Sequence, residues 1–432
     1  MDIRTPHVFR LRNGLRGAKS SRLYFARARG ERFTMNRPDQ GQNISPKVGA
    51  VVVGGDFHGL GIMRSLGNRG IPVCVVDDEY SIGRFSRYAT HSVRAPNLRD
   101  ERETVDFLLS MGRRLNLKGW VLFPTRDELV AAFSRHRAEL AEFFRVPTPE
   151  WESVKWAWNK WNTYSLAEKL GIPIPKTWCP KSLEDIDAID ASFPLGVKPA
   201  VKEDFFYATK AKAWRANDRD ELKSLFQRAT SHVGLNEILV QEIIPGDGRC
   251  QFSSCVFFKN GESVATMEAQ RWRQHPPEFG RAATFVESVD LPVIVEPTLR
   301  FLREIDYYGL AEVEYKLDPR DGKYKLLDVN ARTWGFHALS RPSGVDFCYL
   351  LFADQIGEAV TRCHGRPGVG WIRMITDIPT SFAGIFHGRL DLSTYSTSLR
   401  TFSVESVFSR EDILPSLAEI ALLPYLAVKR GF

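Results

Sequence analysis

No stretch of this 432-residue chain reaches the roughly 18–20 consecutive apolar residues that a membrane-spanning helix needs. The basic N-terminal segment lacks the apolar centre of a secretory signal. Both absences lead us to expect a cytoplasmic protein with no transmembrane span. The apolar run Ile413–Val428 is interrupted by Pro415, Glu419 and Pro424. It is expected to form a helix packed on the body, with peripheral membrane contact left open. Cysteine is scarce, six residues with neither a CxxC pair nor zinc-finger spacing, which argues against a disulfide framework and predicts reduced thiols, several of them buried. The nine histidines are scattered and form no Ser/His/Asp or Cys/His constellation.

The net charge of +7 is unevenly placed. Residues 1–47 hold eleven Lys or Arg against three acids, so the remaining chain is close to neutral. A basic segment of this kind can hold polyphosphate or anionic lipid, but it reads more simply as a solvated extension, or as sequence upstream of a start at Met35. A nucleic-acid surface would need basic and aromatic residues interleaved on a folded face, and nucleic acid is not expected as a partner. The composition is 43% hydrophobic and 26% charged, that of a globular protein, and the length suggests two to four units.

Order is expected from Val48. VGAVVVGG reads as a buried strand entering the glycine-rich turn Gly54–Gly61, followed by a helix closed at Gly70 and a second strand, IPVCVVDD. This βαβ unit begins a parallel sheet. The glycine spacing is too loose for a dinucleotide fingerprint, although Asp77 or Asp78 stands where a ribose contact would. Helices follow at 101–115 and 127–144, with the strand Gly119–Thr125 between them. A tryptophan-rich helix, Trp151–Leu170, opens a second unit, in which Phe193–Val201 and Lys210–Ala216 read as paired strands. A helix at Arg219–Ala229 and the strand Glu237–Gly246 follow; beyond Gln251 come meandering strands, with a helix at Pro297–Tyr307.

The chemistry concentrates in GLAEVEYKLDPRDGKYKLLDVNARTWG. Leu310–Leu317 alternates strictly, DPRDG is a hairpin turn, and Lys323–Asn330 returns. If Leu317 pairs with Lys323, Glu312 lies opposite Asp328 and Glu314 is its diagonal neighbour. Opposed carboxylates repel unless a cation lies between them. Glu314, Asp328 and Asn330 offer only oxygen, the donor set that suits Mg²⁺ shared with phosphates. A solvated polar face bridged to Lys316, Lys323 or Lys325 is the plainer alternative.

These motifs together resemble the metal-binding end of the ATP-grasp family, whose usual form is a strand Glu followed by E-x-N-x-R. The resemblance covers roughly residues 48–362, each motif alone modest and their order persuasive. It implies that Glu314, Asp328 and Asn330 hold magnesium (Mn²⁺ as a substitute), with Glu312 a rival first ligand, and that Arg332 meets phosphate or acyl phosphate. Upstream, Lys160 and Lys198 match the two ATP-phosphate lysines. VQEIIPG resembles the adenine-gripping hinge, with the backbone of Gln241 and Ile243 on the base and Glu242 on the ribose. The stretch QRWRQHPPEFG is similar to an arginine-bearing stretch of carboxylate–amine ligases such as D-aspartate ligase and carbamoyl-phosphate-synthase-like proteins. On that likeness Arg271 and Arg273 are expected near phosphate or substrate.

Two departures from the pattern stand out. Asp328 replaces the usual Glu, and Val201–Ala213 contains no glycine where a phosphate-covering loop is common. Lys202, Lys210 and Lys212 are candidates to hold phosphate there instead. His337, just past the motif, is expected to pack beside Trp334.

The fold class so implied is α/β and α+β multidomain, an ATP-grasp fold with an N-terminal Rossmann-like domain. Its expected divisions are a basic tail (1–47), a domain preceding the grasp (48–148), two grasp lobes (149–240 and 241–362) and an extension of unread role (363–432). The implied activity is ATP-dependent, amide-forming ligation of small carboxylates and amines through an acyl phosphate. An ATP-binding protein without turnover is the alternative, and a homodimer stays open.

Overall fold

A computed structural model of the chain describes residues 48–280 and 282–430. The basic segment 1–47 and the side chain of Lys202 lie outside the described residues. The first sheet contains β1 (Ala50–Val53), β2 (Val73–Asp77), β3 (Ala89–Arg94) and β4 (Val121–Pro124), all parallel in the order β3-β2-β1-β4. Every residue of β1, β2 and β4 is buried, as continuous apolar runs in a sheet covered on both faces should be.

The glycine-rich turn after β1 serves packing. At Gly54, with φ +99°, a Cβ would lie 1.9 Å from the Thr125 hydroxyl. At Gly59 it would lie 2.0 Å from the Gly54 carbonyl oxygen. Asp77 is committed to the interior, accepting from the Gly55 amide at 2.7 Å and from Arg126 at 2.6 Å. Arg126 also reaches Asp78 at 2.9 Å, so neither acid stands free for a ribose.

Two expected helices are divided, and one division matters for the site. The 127–144 segment breaks at His136 into Asp127–Arg135 and Arg137–Ala141. The 151–170 segment breaks at Asn159, whose extended backbone ends Trp151–Trp158 and whose side chain caps Lys160–Lys169 by accepting from the Trp161 amide. Lys160 is thereby the first residue of a new helix, and its own amide donates to the Ala200 carbonyl at 2.9 Å.

The second sheet is antiparallel, with β5 (Thr177–Trp178), β6 (Leu195–Pro199), β7 (Trp214–Ala216) and β8 (Ile238–Glu242) in the order β5-β8-β6-β7. Only the end of the expected strand Lys210–Ala216 enters it. The preceding glycine-free stretch forms the helix Lys202–Thr209, with Phe205 buried in the lobe's core.

The third sheet has eight strands: β9 (Gln251–Lys259), β10 (Glu262–His275), β11 (Ala282–Val289), β12 (Gly309–Asp318), β13 (Lys323–Asn330), β14 (Cys363–His364), β15 (Gly370–Ile372) and β16 (Phe402–Glu405). Their order is β13-β12-β9-β10-β11-β15-β16, with β14 beside β10. The block past residue 363 thus supplies three strands. One face shares a core with the first sheet, where Val52 and Phe123 meet Phe257, Met267 and Trp334. The other face is covered by Lys160–Lys169 and Val295–Glu304, through Tyr164 and Phe301 against Phe258, Tyr315 and Leu326.

The C-terminal block is tied down by charge. Arg273 of β10 pairs with buried Asp377 at 2.8 and 2.9 Å. Asp412 accepts from Arg64 (3.0 Å), Ser86 (2.8 Å) and the Arg87 amide (2.9 Å), all in the first domain. The last helix, Leu414–Arg430, packs on the body through Ala418 and Glu419, leaving Leu414, Leu417 and Ile420 exposed. Among the described residues no helix is long and apolar enough to cross a membrane. The six cysteines are unpaired, with Cys74, Cys255 and Cys348 buried.

Candidate active site

The hairpin of β12 and β13 differs from its expected register in a way that improves the cluster. Asp318, not Leu317, pairs with Lys323, and a β-bulge at Leu327 shifts the pairing again. Glu314 therefore lies directly opposite Asp328, and Glu312 opposite Asn330. The Tyr164 hydroxyl donates to the Leu327 carbonyl at 2.7 Å, which satisfies the backbone group that the bulge leaves out of the ladder.

The three carboxylates so gathered would repel, and cations from other elements offset the charge. Lys160, at the start of its helix, pairs with Asp328. Arg271 of β10 reaches Glu314 at 3.2 Å. Asn330 donates to Glu312 (3.1 Å) and Glu314 (3.2 Å), and Ser253 donates to Glu312 at 2.7 Å. Burial pushes Glu314 up, but Arg271, Lys212 and Lys160 outweigh it and hold that carboxyl down at about 2. Burial and the adjacent Glu314 raise Glu312 to about 7. The pair thus divides into an ionised Glu314 and a Glu312 that takes up a proton readily. Arg332 donates to Asn330 at 3.2 Å and to Asp127 of the first domain at 2.5 Å.

Lys160, Arg271, Glu312, Glu314, Asp328, Asn330 and Arg332 line a cleft of about 240 Å³ together with Phe57, His58, Phe206, Lys212 and Trp371. Lys198 approaches from the second sheet, donating to the Tyr164 hydroxyl (2.6 Å) and to Gln241 (2.7 Å). Burial and the nearby Lys160 lower it to about 7. A continuous chain, Lys198 to Tyr164 to Leu327, links the second lysine to the bulge.

Other expected residues are placed elsewhere. Arg273 is turned away by the register shifts on either side of it in β10. Its guanidinium is held by Asp377 and Ser398 and stacks on Phe285 and Tyr395. Lys210 ends its helix in the left-handed conformation and is exposed, whereas Lys212 lines the cleft. β8 is an interior strand, so Gln241 is laddered to Thr177 on one side and Gly196 on the other. Its side chain accepts from Lys198 and donates to Thr177 at 2.7 Å each. Glu242 accepts from Lys325 (3.2 Å) and Arg320 (3.0 Å), and Ile243 lies just past the strand end. His337 packs as expected, its Nδ1 2.8 Å from the Trp334 carbonyl.

Sequence reading missed His58, Asp127 and Trp371. His58 follows the turn at the carboxyl end of β1, where open parallel sheets present ligands, and that was its available signal. Burial lowers it to about 4 against the pull of Asp56, and the charge of Arg332 acts in the same direction as burial. Among the described residues, His58 Nδ1 and Arg271 Nε are buried without hydrogen-bond partners. Trp371 comes from the C-terminal block, which therefore contributes a wall of the cleft.

Residues 188–352 match the family model of the carbamoyl-phosphate synthase L chain, ATP binding domain. The chain is 24% identical over 321 residues to D-aspartate ligase of Enterococcus faecium, spanning 71% of this chain and 76% of that protein. The L-amino acid ligase structure from Bacillus licheniformis superposes with a TM-score of 0.58 at 18% identity, covering 75% of this chain and 78% of the other. The biotin carboxylase domain of Hydrogenobacter thermophilus 2-oxoglutarate carboxylase, solved with MgADP and bicarbonate, gives a TM-score of 0.60 at 14% identity over 74% and 73%. Matched segment and structural neighbours together give the chain an ATP-grasp fold, and its relatives make it similar to the carboxylate–amine ligases.

Proposed function

We propose that the protein uses ATP to join a small carboxylate to an amine, passing through an acyl phosphate. The observation that carries this reading is the meeting of Lys160, Arg271, Lys212 and Arg332, from four separate segments, on the single face bearing Glu314, Asp328 and Asn330. Phosphoryl transfer asks little covalent help of a protein and much correctly placed charge. The relatives named D-aspartate ligase and L-amino acid ligase favour an amino acid as one substrate.

The residues present fit a magnesium ion. Their donors are all oxygen; positive side chains hold Glu314 ionised, and Lys160 pairs with Asp328, where the ion would sit. Glu314, Asp328 and Asn330 would hold it, and it would supply neutralisation of the ATP phosphates. Lys160 and Lys198 bind phosphate from the side facing the hairpin. The substrate carboxylate attacks the γ-phosphorus, the bond to the β–γ bridging oxygen breaks, and ADP leaves. Arg271 and Arg332 stabilise the acyl phosphate, and Trp371 and Phe206 keep water from it. An uncharged amine then attacks the carbonyl carbon, expelling phosphate and losing a proton. His58, neutral near pH 7 and with a buried unpaired nitrogen, is placed to contact a substrate.

The test is ADP release with Mg-ATP against a panel of amino acids and amines, with hydroxylamine added to trap acyl phosphate as hydroxamate. Substrate-dependent release and hydroxamate, both lost in Asp328→Ala, are expected. Nucleotide binding with no release for any substrate would support a non-hydrolysing ATP-binding protein instead. No nucleotide binding at all would overturn the reading.

A further inference from the structure

A second cluster of ligating side chains lies apart from the cleft. Glu268 is in the middle of β10, Asp290 follows β11, and His364 ends β14, which runs parallel to β10 with His364 opposite Thr266. One ligating atom from each lies within 4.8 Å of the others. Glu268 is 1% exposed, and among the described residues both its carboxylate oxygens lack hydrogen-bond partners. Burial raises it, and nearby His364 and the Leu291 amide only partly oppose that. An ionisable group sunk in a sheet without a well-formed hydrogen bond is costly unless something else completes it.

Two features decide what completes it. His364 Nδ1 lies 2.7 Å from the Thr266 hydroxyl, which fixes the ring and leaves Nε2 facing Glu268. Histidines that bind metal are commonly oriented through their other nitrogen in this way. The Nε2 to Glu268 separation is 3.5 Å. A charge-assisted hydrogen bond would be about 2.7–2.9 Å. Two ligands on one tetrahedral ion, each about 2.0–2.1 Å from it, stand about 3.3 Å apart.

We propose that Glu268, Asp290 and His364 bind one divalent transition-metal ion, with zinc the fitting example, at a site separate from the ATP cleft. One imidazole and two carboxylates favour zinc over magnesium or calcium, which take oxygen ligands. Asp290 and His364 are exposed, so water completes the coordination and the ion exchanges with solvent. Glu268 precedes Arg271 by three residues on β10, roughly 10 Å along the strand. The ion clips the start of the C-terminal block onto the strand that carries Arg271, and so braces the block that supplies Trp371.

The full-length chain, stripped with chelator and free of nucleotide, is dialysed against micromolar zinc, and bound metal is counted by mass spectrometry. One zinc per chain is expected, together with a zinc-dependent rise in Tm. Glu268→Gln and His364→Ala should each lose that ion and the rise, while Asp328→Ala keeps both. Should Glu268→Gln fail to fold, Asp290→Asn on the exposed rim is expected to show the same loss. Cobalt in place of zinc should give a visible absorption band that disappears in His364→Ala. No zinc bound by the unaltered chain, or equal binding by the variants, would overturn the proposal; a direct His364–Glu268 pair with no metal gives the first of these results.

Discussion

Lys198 carries the clearest pH signature at the scale of single residues. Burial and Lys160 lower it to about 7, from an ordinary value of 10.5. Below pH 7 both folded and unfolded chains hold the proton, and the cost of burying that charge is felt in full. As pH rises from 7 towards 10.5 the folded chain has released the proton and the unfolded chain has not, so this group's contribution to stability improves. Bound phosphate restores the charge. At pH 8, ATP binding should therefore take up close to one proton, read as a dependence of calorimetric heat on buffer ionisation enthalpy. The uptake should fade by pH 6 and be absent in Lys198→Met. Arg332 is the other single residue with a sharp expectation: Arg332→Ala should lower kcat for ADP release about 10²–10³-fold with the fold retained by circular dichroism.

At the scale of elements, the hairpin shows both how far the sequence is legible and where it stops being so. Its strands follow from strict alternation around DPRDG, and the shared face of Asp328 and Asn330 from a period of two. The bulge at Leu327 cannot be read locally, because the hydroxyl that stabilises it belongs to Tyr164, 163 residues away in sequence. The same limit applies to Arg271 and Arg273. Two residues apart, they look equivalent on paper, and irregular pairing in β10 sends one to Glu314 and the other to Asp377. Asp127 has no local signal, since its partner Arg332 lies 205 positions on. Tyr164→Phe removes the support for the bulge and should cost about 1 kcal/mol in chemical denaturation. It should also raise KM for ATP, because Lys198 loses an anchor.

For the whole molecule, the C-terminal block is structural as well as a wall of the cleft. Arg273→Leu leaves Asp377 buried and unpaired, and should destabilise the protein by about 3–5 kcal/mol in urea unfolding. Asp412→Ala takes the shared carboxylate from Arg64, Ser86 and the Arg87 amide and should also destabilise, by less, since Arg64 keeps the Val407 and Asp412 carbonyls. A solvated loop variant such as Lys181→Ala should change little by comparison. The division into sheets could be anticipated from the run of motifs. That the last 70 residues close onto the first domain could not, because their pairing rests on isolated charges and short strands with no periodic pattern.

The bond between Arg64 and Asp412 also sets a schedule. It joins residues 348 positions apart, so at roughly 5–20 residues per second the ribosome delivers Asp412 about 20–70 s after Arg64. Throughout that interval the nascent first domain holds a cation and a turn whose counterpart has not been made. A chain cut short near its end would emerge with its opening domain incompletely sealed, and a cell's quality control would meet that defect at the start of the protein rather than at its missing tail.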